Sequence, residues 1–312
     1  MNKKTVSFAA VLVLLTVVLA ACGSSSKGQF VKGKVNVVTS FYPLYFFTQS
    51  IGGDHVNAIN LVPAGVEPHE WSPKSKDLSN MTKAQMFVYQ GAGFEGWVDD
   101  FLSSLKKDSG PKVVEASKGV NLIKADNIHP DQKKSNESDI DPHTWLSPVN
   151  AKKMGENIRD GLIAADPANK ADYEANYNSF AGKMDALDAK YKETLAKTSK
   201  KEIAVTHQAF AYLCRDYSLV QMPIMGLAPD SEPTAKDLQQ VNQFIKEHNL
   251  KYIFFEDLVS DKLAKTLAKD ANVDTLVLNP LEGLTEEQQK AGENYITIME
   301  KKNLQTLTKA LQ

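Results

Sequence analysis

From Asp166 to about Lys197 the chain repeats apolar residues three and four apart: Tyr173, Tyr177, Phe180, Met184, Leu187, Tyr191 and Leu195, with charge on the other faces. This spacing predicts one amphipathic helix of about 30 residues, roughly 45 Å long. A further helix is expected just before it, from Asn150 to about Ala165, with Asp166-Pro167 marking the restart. A rod of this length in mid-chain constrains the fold, because it divides two stretches of quite different texture.

On both sides of the rod, short apolar runs alternate with helical patterns. Strands are expected at Val35-Thr39, Asn57-Val62, Met86-Gln90 and Lys112-Glu115, then at Glu202-Thr206, Val220-Met225, Tyr252-Phe255 and Asp274-Leu278. Helical stretches such as Leu44-Ile51, Ser75-Lys83, Phe94-Lys106, Thr234-Glu247 and Asp261-Ala271 separate them. Strand-helix alternation predicts parallel α/β architecture. Two groups of four strands about a rod suggest two α/β lobes, each a four-stranded parallel sheet with flanking helices, joined by one long rigid helix. The alternative is a single eight-stranded α/β barrel with an insertion. Expected boundaries are 35–165 for the first lobe, 166–198 for the linking helix and 199–312 for the second lobe. Ala125 to Asp141 has almost no apolar residue and no periodicity, so a mobile surface loop is expected there.

The first 21 residues read as an export signal, with Lys3 and Lys4 ahead of an apolar run from Val6 to Leu19. Leu19-Ala20-Ala21-Cys22 looks like a bacterial lipobox, which implies lipidation of Cys22, and residues 22–34 have the composition of a flexible tether. The chain is thus expected at the cell membrane, lipid-anchored on the extracytoplasmic face. Cys214, the only other cysteine, sits among Phe210, Tyr212 and Leu213 and reads as a buried small residue rather than a reactive thiol. With a formal charge of −2, the chain has no basic footprint for nucleic acid.

Six histidines occur, and two stand in near-repeats: Pro68-His69-Glu70-Trp71-Ser72-Pro73 and Pro142-His143-Thr144-Trp145-Leu146-Ser147-Pro148. Neutral imidazole is the commonest protein metal ligand, and Pro-rich loops hold such groups firmly. His69 and His207 follow expected strands, Glu282 follows the eighth through Asn279-Pro280-Leu281, and His143 precedes a helix that Ser147-Pro148 can start. In parallel sheets ligands bind beyond the carboxyl ends of strands, so these four are candidates for a divalent-cation site. The competing reading makes the histidines turn residues packed against tryptophans and leaves Glu282 solvated. His55 and His248 read as surface residues, and His129 lies in the polar loop.

Taken together, Pro68-His69-Glu70-Trp71, Asp141-Pro142-His143-Thr144-Trp145-Leu146-Ser147-Pro148, Thr206-His207-Gln208-Ala209-Phe210 and Asn279-Pro280-Leu281-Glu282-Gly283-Leu284 resemble the metal-binding lipoproteins of bacterial zinc and manganese ABC importers. Ser40-Phe41-Tyr42-Pro43-Leu44 and Phe254-Phe255-Glu256-Asp257 match as well. The resemblance implies two α/β lobes about a long helix and the ligand set His69, His143, His207 and Glu282. Glutamate at the fourth position is similar to the zinc branch, and three imidazoles with one carboxylate suit zinc better than manganese. The loop before His143 lacks the histidine richness common in zinc members, which keeps manganese as the alternative.

The expected function is capture of zinc as cargo, without catalysis, and its delivery to a membrane permease driven by a separate ATPase; a monomer is expected. No phosphate-binding G-x-x-x-x-G-K-[ST] loop occurs, so this chain does not supply the ATPase. Affinity is expected to fall as pH drops through about 6.5. A lipid-anchored zinc hydrolase is the enzymatic alternative, with Glu70 or Glu256 as base, but H-E-x-x-H fails because Pro73 stands where the second histidine would be. Adhesion, described for some relatives, is a third class. Trp71 and Trp145 are expected to wall the histidine loops, and Phe210 and Tyr42 to close the cleft floor, or else to be core aromatics.

Overall fold

All eight short apolar runs form strands. The structure, a computed structural model, describes residues 29–105, 110–124, 140–229 and 233–312. Its strands are β1 (Val35–Thr39), β2 (Val56–Asn60), β3 (Met86–Tyr89), β4 (Lys112–Glu115), β5 (Glu202–Val205), β6 (Val220–Pro223), β7 (Tyr252–Phe255) and β8 (Asp274–Val277). They make two separate parallel sheets, ordered β2-β1-β3-β4 and β6-β5-β7-β8, and not a closed barrel. In each sheet the chain starts inside, steps out to one edge and then crosses back. A switch point therefore falls between β1 and β3, and another between β5 and β7, where loops diverge and leave a crevice. β1 is buried along Asn36 to Thr39, as a strand covered on both faces must be.

Helix starts follow the local chemistry. Ser147 Oγ accepts the Asn150 N–H at 3.1 Å, and Pro148 occupies the first turn of the Pro148–Ala165 helix. Thr234 and Asp237 form a reciprocal cap on the Ala235–Glu247 helix. The mid-chain rod is shorter than expected. Pro167–Asn169 is a separate 3-10 turn, and the helix proper runs over the 27 residues Lys170–Ala196, about 40 Å. The stripe Tyr173, Phe180, Met184, Leu187, Tyr191 and Leu195 is buried. Tyr177 is the exception: it is half-buried, with the Arg159 guanidinium 4.4 Å above its ring.

That stripe is the spine of one continuous core. Val37 and Met86 of the first sheet, Phe180, Leu187 and Leu195 of the helix, and Ile203 and Phe254 of the second sheet belong to the same buried cluster. Only the outward faces have cores of their own, around Phe87 and Phe101 in the first lobe and Ile253 and Leu267 in the second. The helix thus lays one apolar face on a core continuous with both sheets, its other faces exposed, rather than standing as a strut between independent bodies. Cys214 is buried in the shared core, and burial pushes its thiol pKa up, as expected of an inert cysteine. Cys22 and His129 lie outside the described residues, as does 125–139 of the polar loop; Lys124 and Ile140 bridge antiparallel at its base.

Close packing of the Pro148–Ala165 helix on the rod depends on Gly155. A Cβ there would come within 2.5 Å of the Phe180 ring and 3.3 Å of Ile51. Gly155→Val should therefore cost about 1–3 kcal/mol by overpacking. A urea midpoint that falls with an unchanged denaturant slope is the expected outcome.

Candidate metal centre

Each candidate residue stands on a loop at the carboxyl end of a strand. His69 lies on the connection after β2, which Gly65 opens at φ +80° and which joins the second lobe through Gly65 N–H to Leu284 O, 2.8 Å. Glu67 takes the His69 backbone N–H on both its carboxylate oxygens, 3.0 Å each, and so fixes the turn. Burial, with the Glu282 charge, pushes the Glu67 pKa up to about 7. His143 follows the polar loop after β4. His207 stands two residues beyond β5, and Glu282 five beyond β8.

The His143 loop is the most heavily tied. Asp141, fully buried, accepts the His143 backbone N–H and faces its Nδ1, both at 2.8 Å. Gln90 donates to Pro142 O and Thr144 Oγ1, and Tyr212 of the second lobe donates to Asp141 O at 2.6 Å. Trp145 Nε1 donates to Pro280 O at 2.8 Å, Tyr295 OH donates to Trp145 O, and Ser147 donates to Asp216. The two lobes therefore clamp this loop between them.

Glu282 is held by strain as well as by bonds. Leu281, buried, has φ +58°, a left-handed conformation costing about 1–2 kcal/mol for a residue with a Cβ. Asn279 offsets it: its Oδ1 accepts the Leu281 N–H at 2.6 Å, and Asn303 holds both its N–H and its carbonyl. This arrangement turns the Glu282 carboxylate inward, where it is 1 % exposed.

One ligand atom from each of the four side chains lies within 4.8 Å of the others. Glu282 Oε1 is 3.3 Å from His69 Nε2, 3.3 Å from His143 Nε2 and 3.6 Å from His207 Nδ1, and the two Nε2 atoms are 3.3 Å apart. Four donors placed tetrahedrally at about 2.0–2.1 Å from a zinc ion stand roughly 3.3–3.4 Å from one another. Glu282 Oε1 and the His69 and His143 Nε2 atoms thus stand at tetrahedral separations, with His207 Nδ1 slightly farther out. The outward nitrogens are spoken for: His143 Nδ1 by Asp141, and His207 Nε2 by Leu227 O at 2.9 Å. Such partners fix the tautomer that leaves the inward nitrogen free to ligate. His207 Nδ1 also lies 3.2 Å from Glu256 Oε2.

Electrostatics follows from burial and close neighbours. Desolvation alone would raise the pKa of Glu282, but His207 and His69, with hydrogen bonds from His143 and His69, hold it well below the carboxylate range. Burial lowers His69. It also opposes charge on His143 and His207, but Asp141 and Glu282 outweigh it at the first and Glu256 and Glu282 at the second, so both are raised. At neutral pH the cluster is an anionic carboxylate wrapped in imidazoles, and His207 carries a proton that a cation would displace.

The aromatic walls differ from expectation. Trp145 is beside His143, ring centroids 5.2 Å apart, but Trp71 packs on Trp97 on the outer side of the first sheet. Phe94 takes that place, 4.9 Å from the His69 ring. Its loop is shaped by Glu95, which accepts the Gln90 and Gly91 N–H groups and whose pKa burial lifts to about 7. Phe210 and Tyr42 are core aromatics. Asp141 and Phe94 had no assigned role in the sequence. For Asp141 a signal existed, an acid two residues before the histidine across a proline, whereas nothing in the spacing marked Phe94.

The chain matches the profile of the ZnuA family, the periplasmic component A of a zinc-uptake complex, over residues 37–310. It is 42 % identical over 298 residues to the zinc-binding lipoprotein AdcA of Streptococcus pneumoniae, covering 94 % of this chain and 58 % of that protein. It is also 42 % identical to the high-affinity zinc uptake system protein ZnuA of Bacillus subtilis, over 94 % of this chain and 93 % of that one. The chain thus spans little more than half the length of the streptococcal AdcA proteins. The crystal structure of the Zn(II)-bound ZnuA-like domain of Streptococcus pneumoniae AdcA superposes with a TM-score of 0.77, covering 89 % of this chain and 99 % of that one at 42 % identity. The laminin-binding protein Lmb of Streptococcus agalactiae, described as having adhesin and metal-transporting activity, gives 0.79 at 31 % identity, over 89 % of this chain and all of that one. With its two parallel sheets sharing one helical layer and its loops converging on a single buried cluster, the chain belongs to the ZnuA family.

Proposed function

We propose that this protein is an extracytoplasmic receptor that captures one zinc ion on His69, His143, His207 and Glu282 and hands it to the permease of an ABC importer with a separate ATPase. The observation that carries the reading is the convergence of four buried donors, three nitrogens and one oxygen within 4.8 Å of one another, three of them at tetrahedral separations. Manganese favours more oxygen ligands and higher coordination, so it ranks behind zinc. Four protein donors fill the shell and leave no position for an activated water, which argues for binding rather than hydrolysis. Lipidation at Cys22, a monomeric state, and lobes 35–165 and 199–312 about 166–198 complete the proposal. The likeness to the zinc lipoproteins AdcA and ZnuA supports it. Likeness to Lmb also makes adhesion worth testing, and that activity would survive loss of Glu282.

Calorimetry on metal-free protein should find one tight zinc equivalent, with manganese much weaker. Glu282→Ala and His143→Ala should lose more affinity than any substitution outside the shell. If neither metal binds stoichiometrically, the receptor reading is wrong.

Asp141→Ala removes the partner that orients His143. Zinc affinity should drop about 10–100-fold while the fold is kept, as judged by circular dichroism.

Because Glu256 and Glu282 raise the pKa of His207, that ring holds a proton at neutral pH that zinc must expel. Affinity should therefore climb with pH well above 6.5, by about tenfold per unit for each proton displaced. Titrations at pH 7.5 in buffers of different ionisation enthalpy should register proton release, and zero release would contradict the assignment.

A further inference from the structure

The four donors are closed off from solvent. The His69 side chain is 9 % exposed, and those of His143, His207 and Glu282 are 0 %, 1 % and 1 %. An ion arriving with its water shell needs a way in, and a ligand to replace that water before it reaches the imidazoles. On the His69 side both oxygens of Glu67 are already taken up by the backbone of its own turn.

The second lobe offers more. Behind His207, at the carboxyl ends of β5 to β7, lies a cavity of about 430 Å³. Its walls are largely apolar, with Met225, Leu238, Phe255 and Leu263 among them, and Glu256 is the carboxylate of its lining, with Ser260 and Lys262 exposed. Six waters occupy about 180 Å³ at roughly 30 Å³ each, so a hydrated ion fits. Glu256 is common to cavity and cluster. Its Oε2 is 3.2 Å from His207 Nδ1, while its Oε1 is buried without a hydrogen-bond partner. A buried carboxylate oxygen with no donor is costly, and holding His207 needs only the other oxygen. Oε1 is therefore available to a cation.

We propose that this cavity is the path by which a hydrated divalent cation reaches the buried cluster, and that Glu256 is the relay ligand that takes the ion from water and passes it to His207. The inference rests on the zinc-receptor reading. Exchange at Glu256 replaces waters by a carboxylate oxygen stepwise, so the ion is never stripped of its shell in one step. Lys262 at the rim works against a cation approaching by this path.

The test is stopped-flow mixing of zinc with the purified metal-free protein, with release measured by transfer to a fluorescent zinc chelator and Kd measured alongside. Ser260→Trp narrows the rim without touching a ligand. It should slow capture and release together, by roughly tenfold, with Kd unchanged, because a path alters rates and not end states. Lys262→Glu should do the reverse, speeding capture several-fold at low salt, with the gain shrinking as salt is added. Opposite signs at two exposed positions cannot both come from a damaged fold. Glu256→Gln should slow capture; if it weakens binding only by faster release, Glu256 merely holds His207 and the relay is refuted. Capture rates within about twofold of native in both rim variants would overturn the path. A native protein that binds no zinc would instead overturn the receptor reading beneath it.

Discussion

A carboxylate almost wholly removed from water is the constraint around which this molecule is arranged. Left alone, Glu282 would take up a proton, because burying an unpaired charge costs several kcal/mol or more. Three imidazoles converge on its oxygen, and they come from loops of both lobes. The loops converge only because the sheets present their carboxyl edges to each other, and the sheets do so because they share one apolar layer on the Lys170–Ala196 helix. Charge at the centre and packing at the back are parts of one requirement.

The bonds between lobes are distributed to match. Around His143 they are many and buried, running through Trp145, Tyr212 and Tyr295, so that side behaves as a fixed wall. Around His69 the ties are the backbone bond from Gly65 to Leu284 and the contact of His69 with Glu282, and the turn is set by its own Glu67. A site built this way needs no wide hinge. Small adjustments of the looser loop and of the Glu282 turn are enough to complete or release a coordination shell, and the continuous core resists anything larger.

Much of this was legible in the residues. Strand-helix alternation and the three-four stripe gave two parallel sheets about a long helix, and most strand ends fell within one or two residues of their expected places. The four candidate residues were found by type and by position after strands, because loops at carboxyl strand ends leave few other places for such groups. What stayed hidden depends on tertiary geometry. Burial of one continuous core cannot be read from two similar halves. The split fates of Trp71 and Trp145, alike in local motif, are tertiary: Trp145 is wholly buried beside His143, whereas Trp71 is half-buried and packs on Trp97. The contact of Glu256 with His207 appears only when segments 49 residues apart are brought within 3.2 Å, whereas Asp141 meets His143 from two residues away. Leu281 illustrates the limit further, since no rule reads a left-handed leucine from sequence.

The two sheets carry the same strand order, each with its first strand inside and its last at an edge. By that correspondence His143 and Glu282 are equivalents, both following the final strand of their sheet, whereas His69 follows a second strand and His207 a first. The architecture is a repeat, but the coordination shell keeps the symmetry in only one of its two pairs. A carboxylate stands in one half where its counterpart offers an imidazole, so the cluster is built from chemically unlike hands. Handedness of this kind gives a nearly symmetric scaffold a front and a back, and with them a direction.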